Sequence, residues 1–246
     1  MRILIIRHGD PYYPTDSLTE KGQREAELLG ERLAKENITA VYVSPLGRAK
    51  KTAQPLLDRQ QIPVTVLDWL REFPVQLREE FAYDSDLAKH NRCIWNHPPR
   101  LWTEIPGIYD ADGWRNTDRF GAPEIVQRYE TVRAGWDALL ASHGYTREGN
   151  IYRIAEGWEE KHETIALFCH LGLGNTLISQ ILNLSPVAVW HTIFLPTTSV
   201  TTVFMEQHIK DEHIAHARLV SIGDTSHLYA GGEPVSASGL HTDFIQ

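Results

Sequence analysis

Cysteine is scarce in this chain, long apolar runs are absent, and positive charge is the minority sign. Each shortage excludes something. Two cysteines in 246 residues are too few for a disulfide framework or a cysteine-ligated zinc site. One of them, Cys169, lies in the apolar run IALFC, where a buried free thiol is the ordinary state. No stretch approaches the roughly 20 apolar residues that a membrane span requires, and the start Met1-Arg2-Ile3-Leu4 is too short an apolar run for a secretory signal. The expected setting is therefore cytoplasmic, with no membrane partner. Lys and Arg number 24 against 32 Asp and Glu, a formal net charge of −8. That balance argues against nucleic acid as a partner and leaves room only for a local basic pocket. Internal repeats and low-complexity segments are missing as well.

What remains is a chain that can bury a core. Its length and its 42% hydrophobic content suit one large domain. Apolar runs alternate with helical patterns: Ile3 to Ile6, then LTEKGQREAELLGERLAKEN with Ala26, Leu29 and Leu33 at helical spacing; ITAVYVSP, then GRAKKTAQPLLDRQQ; then Val64 to Leu67. After an interruption, TIALFCH reads as a buried strand and NTLISQILNL as a helix, while TTSVTTVFMEQ and HIAHARLVSIGD read as an antiparallel hairpin at a sheet edge. This order predicts an α/β fold, a three-layer α/β/α sandwich with a mostly parallel sheet, forming a single domain over residues 1–246. The tail AGGEPVSASGLHTDF is expected to be irregular and mobile.

The interruption, residues 73–163, holds five of the seven tryptophans: Trp95, Trp102, Trp114, Trp136 and Trp158. Aromatics at this density either pack a subdomain or line a pocket, so the span is expected to be an inserted, aromatic-rich cap. Its later part, EIVQRYETVRAGWDALLASHG, has the spacing of a long amphipathic helix.

Chemistry-bearing residues stand at the strand ends. The first strand delivers Arg7, His8 and Gly9, the second leads through Ser44 to Arg48, the third leads to Glu72, and the resumed strand ends at His170. In a parallel sheet these ends share one rim, where ligands bind. Two arginines and two histidines around one point suit a dianionic oxyanion, because guanidinium donors match phosphate oxygens.

Taken together, Arg7-His8-Gly9, LTEKGQREA, VYVSPLGRAKKTA, Glu72, CHLGLGNTL, TTSVTTVF and GDTSHL resemble the histidine phosphatase superfamily, in its phosphoglycerate-mutase-like branch. The resemblance implies a transiently phosphorylated His8, a phosphate pocket of Arg7, Arg48 and His170, and Glu72 as proton donor. Physical chemistry is consistent with those roles. A neutral imidazole is a competent nucleophile near neutrality, and cations, a protonated His170 among them, would stabilise charge on the equatorial oxygens. The expected protein is a metal-independent phosphomonoester hydrolase, with no cofactor and a small phosphorylated molecule as its partner. A homo-oligomer is compatible with the sequence.

The pattern also departs from the family. Pro14 stands where many relatives carry a phosphate-contacting asparagine, which leaves Thr15 as a substitute, and Leu171 follows His170 where glycine is usual. The branch whose acid is an aspartate directly after the second histidine is thereby excluded, in favour of Glu72. Two alternatives are a cofactor-dependent phosphoglycerate mutase, for which Arg92, Arg100, Arg115 and Arg119 would have to supply the extra cations, and a non-catalytic phosphate sensor. A metal site on His208, His213 and His216 is disfavoured, because residues 213 and 216 point to opposite faces of a strand. Gly172-Leu173-Gly174 lacks the third glycine of a dinucleotide fingerprint and reads instead as a loop whose amides approach phosphate.

Overall fold

Strand β1 (Arg2–Arg7) sets the layering, because its apolar side chains alternate between two cores. Ile3 and Ile5 enter one apolar cluster and Leu4 and Ile6 the other, as the two-residue period of a strand buried on both faces requires. The computed structural model describes residues 1–81, 93–95, 97–157 and 162–240. After β1 come a two-residue ladder of β2 (Pro11–Tyr12) and β3 (Ser17–Leu18), then α1 (Glu20–Leu33), β4 (Ala40–Val43), α2 (Gly47–Leu57) and β5 (Val64–Val66). The chain continues through short 3-10 turns to α3 (Pro123–Ser142), β6 (Tyr145–Glu148), β7 (Ile151–Ile154), β8 (Thr164–Cys169) and α4 (Leu171–Leu182). It closes with α5 (Pro186–Thr192), β9 (Val200–Glu206), β10 (Ile214–Asp224) and α6 (Ser226–Ala230).

The main sheet has the order β5-β4-β8-β1-β9-β10-β7-β6. Its first four strands are parallel, with Ile5 opposite Leu167 and Val41 opposite Ala166. From β1 onward the pairing is antiparallel, beginning with Ile6 opposite Val200. The three-layer α/β sandwich and its parallel centre are thus present. The hairpin β9–β10 is antiparallel as expected, but it does not end the sheet. Ile214 and Ala215 of β10 pair with Arg153 and Tyr152 of β7, so β7 and β6 carry the sheet outward. These two strands lie inside the span read as an insertion, where short, charge-bearing segments such as YTRE give a weak strand signal.

Helices α1 and α2 cover one face: Leu29, Leu33, Ala49, Ala53 and Leu56 pack with Val41, Val43 and Phe168. On the other face, α3 and α4 bring Val132, Trp136, Leu173 and Leu177 against Ile165 and Leu167. Trp102, Trp114 and Trp136 are buried in this same core, so these aromatics serve the sandwich and do not form a separate cluster. Trp158 and Arg92 lie outside the described residues. Cys169 is buried as a free thiol, and desolvation pushes it up to about 12. No helix among the described residues is long and apolar enough to cross a membrane.

Close packing of α3 yields a test. A Cβ on Gly135 would lie 2.3 Å from the Trp69 ring. Helix propensity alone favours Gly135→Ala by about 1 kcal/mol, whereas overpacking costs about 1–3 kcal/mol. We expect the clash to win and the urea midpoint of Gly135→Ala to fall; a rise would show that Trp69 moves aside freely.

Candidate active site

The parallel register brings the ends of β1, β4 and β8 to one rim, and the chain leaving β5 reaches the same rim through a 3-10 turn at Asp68–Leu70. His8 follows β1 and is buried to 2% exposure. Its Nδ1 lies 2.7 Å from the Gly9 carbonyl oxygen, and Arg48 Nε lies 3.2 Å from its Nε2. A carbonyl only accepts and a guanidinium only donates. The two contacts therefore fix one tautomer, with the proton on Nδ1 and the lone pair on Nε2. Burial, then the nearby Arg7 charge, holds the His8 imidazole well below its ordinary range, so it is neutral at physiological pH.

His170 stands 5.0 Å from His8, ring centroid to centroid, and is fully buried. Its Nε2 lies 2.8 Å from Ser44 Oγ, which itself accepts from the Leu46 amide. The other nitrogen of the ring, Nδ1, is buried and has no hydrogen-bond partner. Burial, reinforced by His8, Arg48 and Arg7, keeps this ring neutral. In the free site, burial among cations thus favours the neutral ring.

The two arginines are held differently. Arg7 donates to the carbonyls of Leu195 (2.7 Å) and Ser238 (2.9 Å), packs over the Phe194 ring, and keeps a buried Nε without a partner. Arg48 is braced by Asp16, whose Oδ1 accepts from Nη1 at 2.6 Å while Oδ2 accepts from the Gly47 amide at 2.6 Å. Asp16 has φ 47, a left-handed conformation that aspartate tolerates. Thr198, at φ 55, donates its amide to the His8 carbonyl at 3.3 Å; a threonine held there stores about 1–3 kcal/mol of strain.

Glu72 reaches the first turn of α4, where its carboxylate accepts from Leu173 N at 3.0 Å, Gly172 N at 3.4 Å and its neighbour Phe73 N at 2.8 Å. The amides of Gly172 and Leu173 are donors that the first turn of a helix leaves unpaired. Gly172 and Gly174 lie inside α4 and not in a loop. Glycine is needed at 172 because a Cβ would sit 2.9 Å from Glu72 Oε1 and 3.0 Å from the Trp95 ring.

Arg7, His8, Arg48, Glu72 and His170 are thus gathered as expected, and Leu171 opens α4 beside them. Thr15 is exposed at the end of a 3-10 turn and hydrogen-bonds to none of them. Its neighbour Asp16 makes the contact instead. Sequence reading missed Asp16 as the brace of Arg48, Ser44 as the partner of His170, and the tail. The tail is irregular, yet it is fastened down: Glu233 pairs with Lys21 at 2.7 Å, Ser236 donates to Asp10 at 2.6 Å, and Ser238 receives Arg7. Alternating small and polar residues in PVSASG carry no helix or strand signal, so only the contacts reveal it. Away from the rim, Glu206, His208 and His216 come together, without His213, but Arg218 already sits 2.9 Å from the Glu206 carboxylate.

Comparisons with known proteins agree with this geometry. The model of the histidine phosphatase superfamily (branch 1) matches residues 3–213. A probable 2-carboxy-D-arabinitol-1-phosphatase of Arabidopsis thaliana is 24% identical over 151 residues, 57% of this chain and 28% of that protein. The chain therefore spans well under half of that relative's length. The adenosylcobalamin/alpha-ribazole phosphatase of Escherichia coli K12 is 24% identical over 200 residues, 78% of this chain and 84% of that protein. Among solved structures, phosphoserine phosphatase from Entamoeba histolytica in complex with 3-phosphoglyceric acid superposes with a TM-score of 0.57 at 19% identity, covering 92% of this chain and 98% of its own. That likeness concerns the fold.

Burial of neutral histidines makes stability depend on pH. His8 and His170 are held well below their ordinary value, and His97, His191 and His227 at about 4. In the unfolded chain each takes a proton near pH 6.5. Below that pH the unfolded state binds more protons than the folded one, so stability is full above about 6.5 and is lost as the pH falls toward 4. Glu25, whose buried carboxyl is raised, acts in the opposite sense but is a single group. The melting temperature should drop between pH 7 and pH 5, and a flat profile would show that these rings protonate in the folded protein.

Proposed function

The chain belongs to the histidine phosphatase superfamily, and we propose that it hydrolyses a small phosphomonoester through a phosphohistidine on His8, with no need of a metal ion. One observation carries this reading. His8 Nε2 carries the ring's lone pair, held by Arg48 Nε, while the His170 ring 5.0 Å away and Arg7 each keep a buried nitrogen, Nδ1 and Nε, without a partner. Buried donors without acceptors are costly, and a phosphate dianion supplies the acceptors.

In the first step Nε2 attacks phosphorus, forming an N–P bond as the ester P–O bond breaks. Arg48 releases Nε2 and turns to the phosphoryl oxygens, joined by Arg7 Nε and His170 Nδ1–H. The arrival of a dianion also favours protonation of His170, since it opposes the surrounding positive charge. The Leu171 amide, at the start of α4, adds a further donor. Glu72 delivers a proton to the departing alkoxide. In the second step water attacks the phosphohistidine, Glu72 accepts the water's proton, and His8 is restored as the neutral Nδ1–H tautomer held by Gly9.

A mutase would need cations for a substrate carboxylate. Arg115 is committed to Asp112 and Glu130 and stacks on Trp114 and Tyr129, which supports hydrolysis over transfer to a phosphoacid.

Rapid quenching with a labelled ester should yield an acid-labile, base-stable adduct that His8→Ala abolishes; an adduct on serine or aspartate would end the proposal. Glu72→Gln should slow hydrolysis of alkyl phosphates about 10²–10⁴-fold and affect aryl phosphates far less, while EDTA leaves both rates unchanged. Equal losses on both esters would remove Glu72 from the role of acid. Interconversion of 2- and 3-phosphoglycerate outpacing hydrolysis would favour the mutase.

A further inference from the structure

Beside the phosphate site lies a cleft of about 250 Å³. Gly239 forms the seam between the two: a Cβ there would be 3.3 Å from Leu171, 3.5 Å from Arg7 Nη2 and 3.7 Å from the Phe194 ring. Gly239 also has φ +94, a conformation that excludes other side chains at this point. On the side of the proton donor, Trp95 flanks Gly172 opposite Glu72. An ester oxygen protonated by Glu72 is therefore released next to the Trp95 ring.

The lining chooses what the oxygen is attached to. Trp95, Trp190 and Phe194 supply aromatic surface, and none of the described lining residues is Asp, Glu, Lys or Arg. Two of them, His97 and His191, are titratable, but burial lowers both to about 4, and Arg119, the nearest cation acting on His97, lowers it further. Both rings are uncharged at physiological pH. His191 Nδ1 donates to the Val187 carbonyl at 2.7 Å, so its Nε2 carries a lone pair. His97 donates to the Cys93 backbone and likewise keeps Nε2 free. Neither Nε2 has a hydrogen-bond partner. The His191 ring is fixed by stacking on Trp102, centroids 4.8 Å apart at 25°.

We infer that this cleft binds the alcohol part of the substrate, and that this part is an uncharged ring-bearing group carrying an O–H or N–H donor for His97 and His191. The inference rests on the phosphatase reading of the adjoining site. An aromatic wall with no Asp, Glu, Lys or Arg among the described lining residues stabilises a flat ring, while among those residues a carboxylate or ammonium would be desolvated without a counter-ion. The volume is below the roughly 300–1,000 Å³ usual for drug-sized ligands, so the group is a single small ring system. Phosphoserine and phosphoglycerates, charged on the organic side, are excluded by the same argument.

The test compares esters of similar leaving-group strength: 3-hydroxybenzyl phosphate, benzyl phosphate, O-phosphoserine and 3-phosphoglycerate. We expect kcat/KM to be at least tenfold higher for 3-hydroxybenzyl phosphate than for either charged ester. His191→Phe keeps the ring on Trp102 and removes the acceptor. It should raise KM for the hydroxybenzyl ester about 3- to 10-fold more than KM for the benzyl ester. Preference for a charged ester, or equal KM changes on both benzyl esters, would overturn the inference while leaving the phosphatase intact. Calorimetric binding of the same esters to His8→Ala separates the opposite case: selective binding of the hydroxybenzyl ester, with no hydrolysis by the unaltered protein, keeps the cleft and removes the phosphatase.

Discussion

An imidazole attacks only through a nitrogen that carries a lone pair, and in this protein the 2.7 Å contact from His8 Nδ1 to the carbonyl of Gly9 decides which nitrogen that is. The surrounding structure keeps that carbonyl where it is. The Gly9 amide donates to Thr52 Oγ1, and the Thr52 hydroxyl donates to the Arg48 carbonyl. The same short network thus fixes the ring's tautomer and the start of the helix bearing Arg48. The His8 amide is tied to Cys169, one residue before His170. His8 is linked to the strand leading to His170 by a backbone hydrogen bond and to the Arg48 helix through the Thr52 hydroxyl, and bonds made by the main chain at the sheet's exits are stiffer than contacts between two side chains.

That stiffness has an electrostatic counterpart. A chain with a net charge of −8 gathers Arg7, Arg48 and, through its field at His170, Arg128 around one buried spot. Arg7 is oriented by two main-chain carbonyls, and Arg48 by the Asp16 carboxylate 2.6 Å from its Nη1. Carbonyl partners satisfy a guanidinium's donors without cancelling its charge, so Arg7 keeps its positive charge at this spot while Arg48 is paired with Asp16. Burial among these cations keeps both histidines neutral.

The strand ends were legible in sequence because apolar runs such as LIIRH and TIALFCH stop at charged or titratable residues, and a parallel sheet aligns those stops. Glu72 was legible for a related reason, as an isolated carboxylate following the third strand. Asp16 and Thr15 show the limit. Both lie in PYYPTDS, a segment without periodicity, and which of two adjacent polar side chains turns toward Arg48 depends on a left-handed backbone at Asp16, which Asp tolerates but its identity alone does not require. Strands β6 and β7 escaped notice because they are four residues each and charge-bearing; their place in the sheet comes from pairing with β10, a contact between distant parts of the chain. Gly172 was recognised as important but misread, since a glycine required by a neighbour's approach looks the same in sequence as one required by a turn.

The fastening of Arg7 to the Ser238 carbonyl joins residues 231 positions apart. Protein synthesis runs at about 5–20 residues per second, so on the order of 10–50 s separate the appearance of the arginine from that of its second carbonyl. Strand β1 precedes Ser238 by that interval, so the Arg7 guanidinium is fully oriented only once residue 238 has been made. For that interval a growing chain carries Arg7 and His8 without the Gly239 seam that shapes the space beside them.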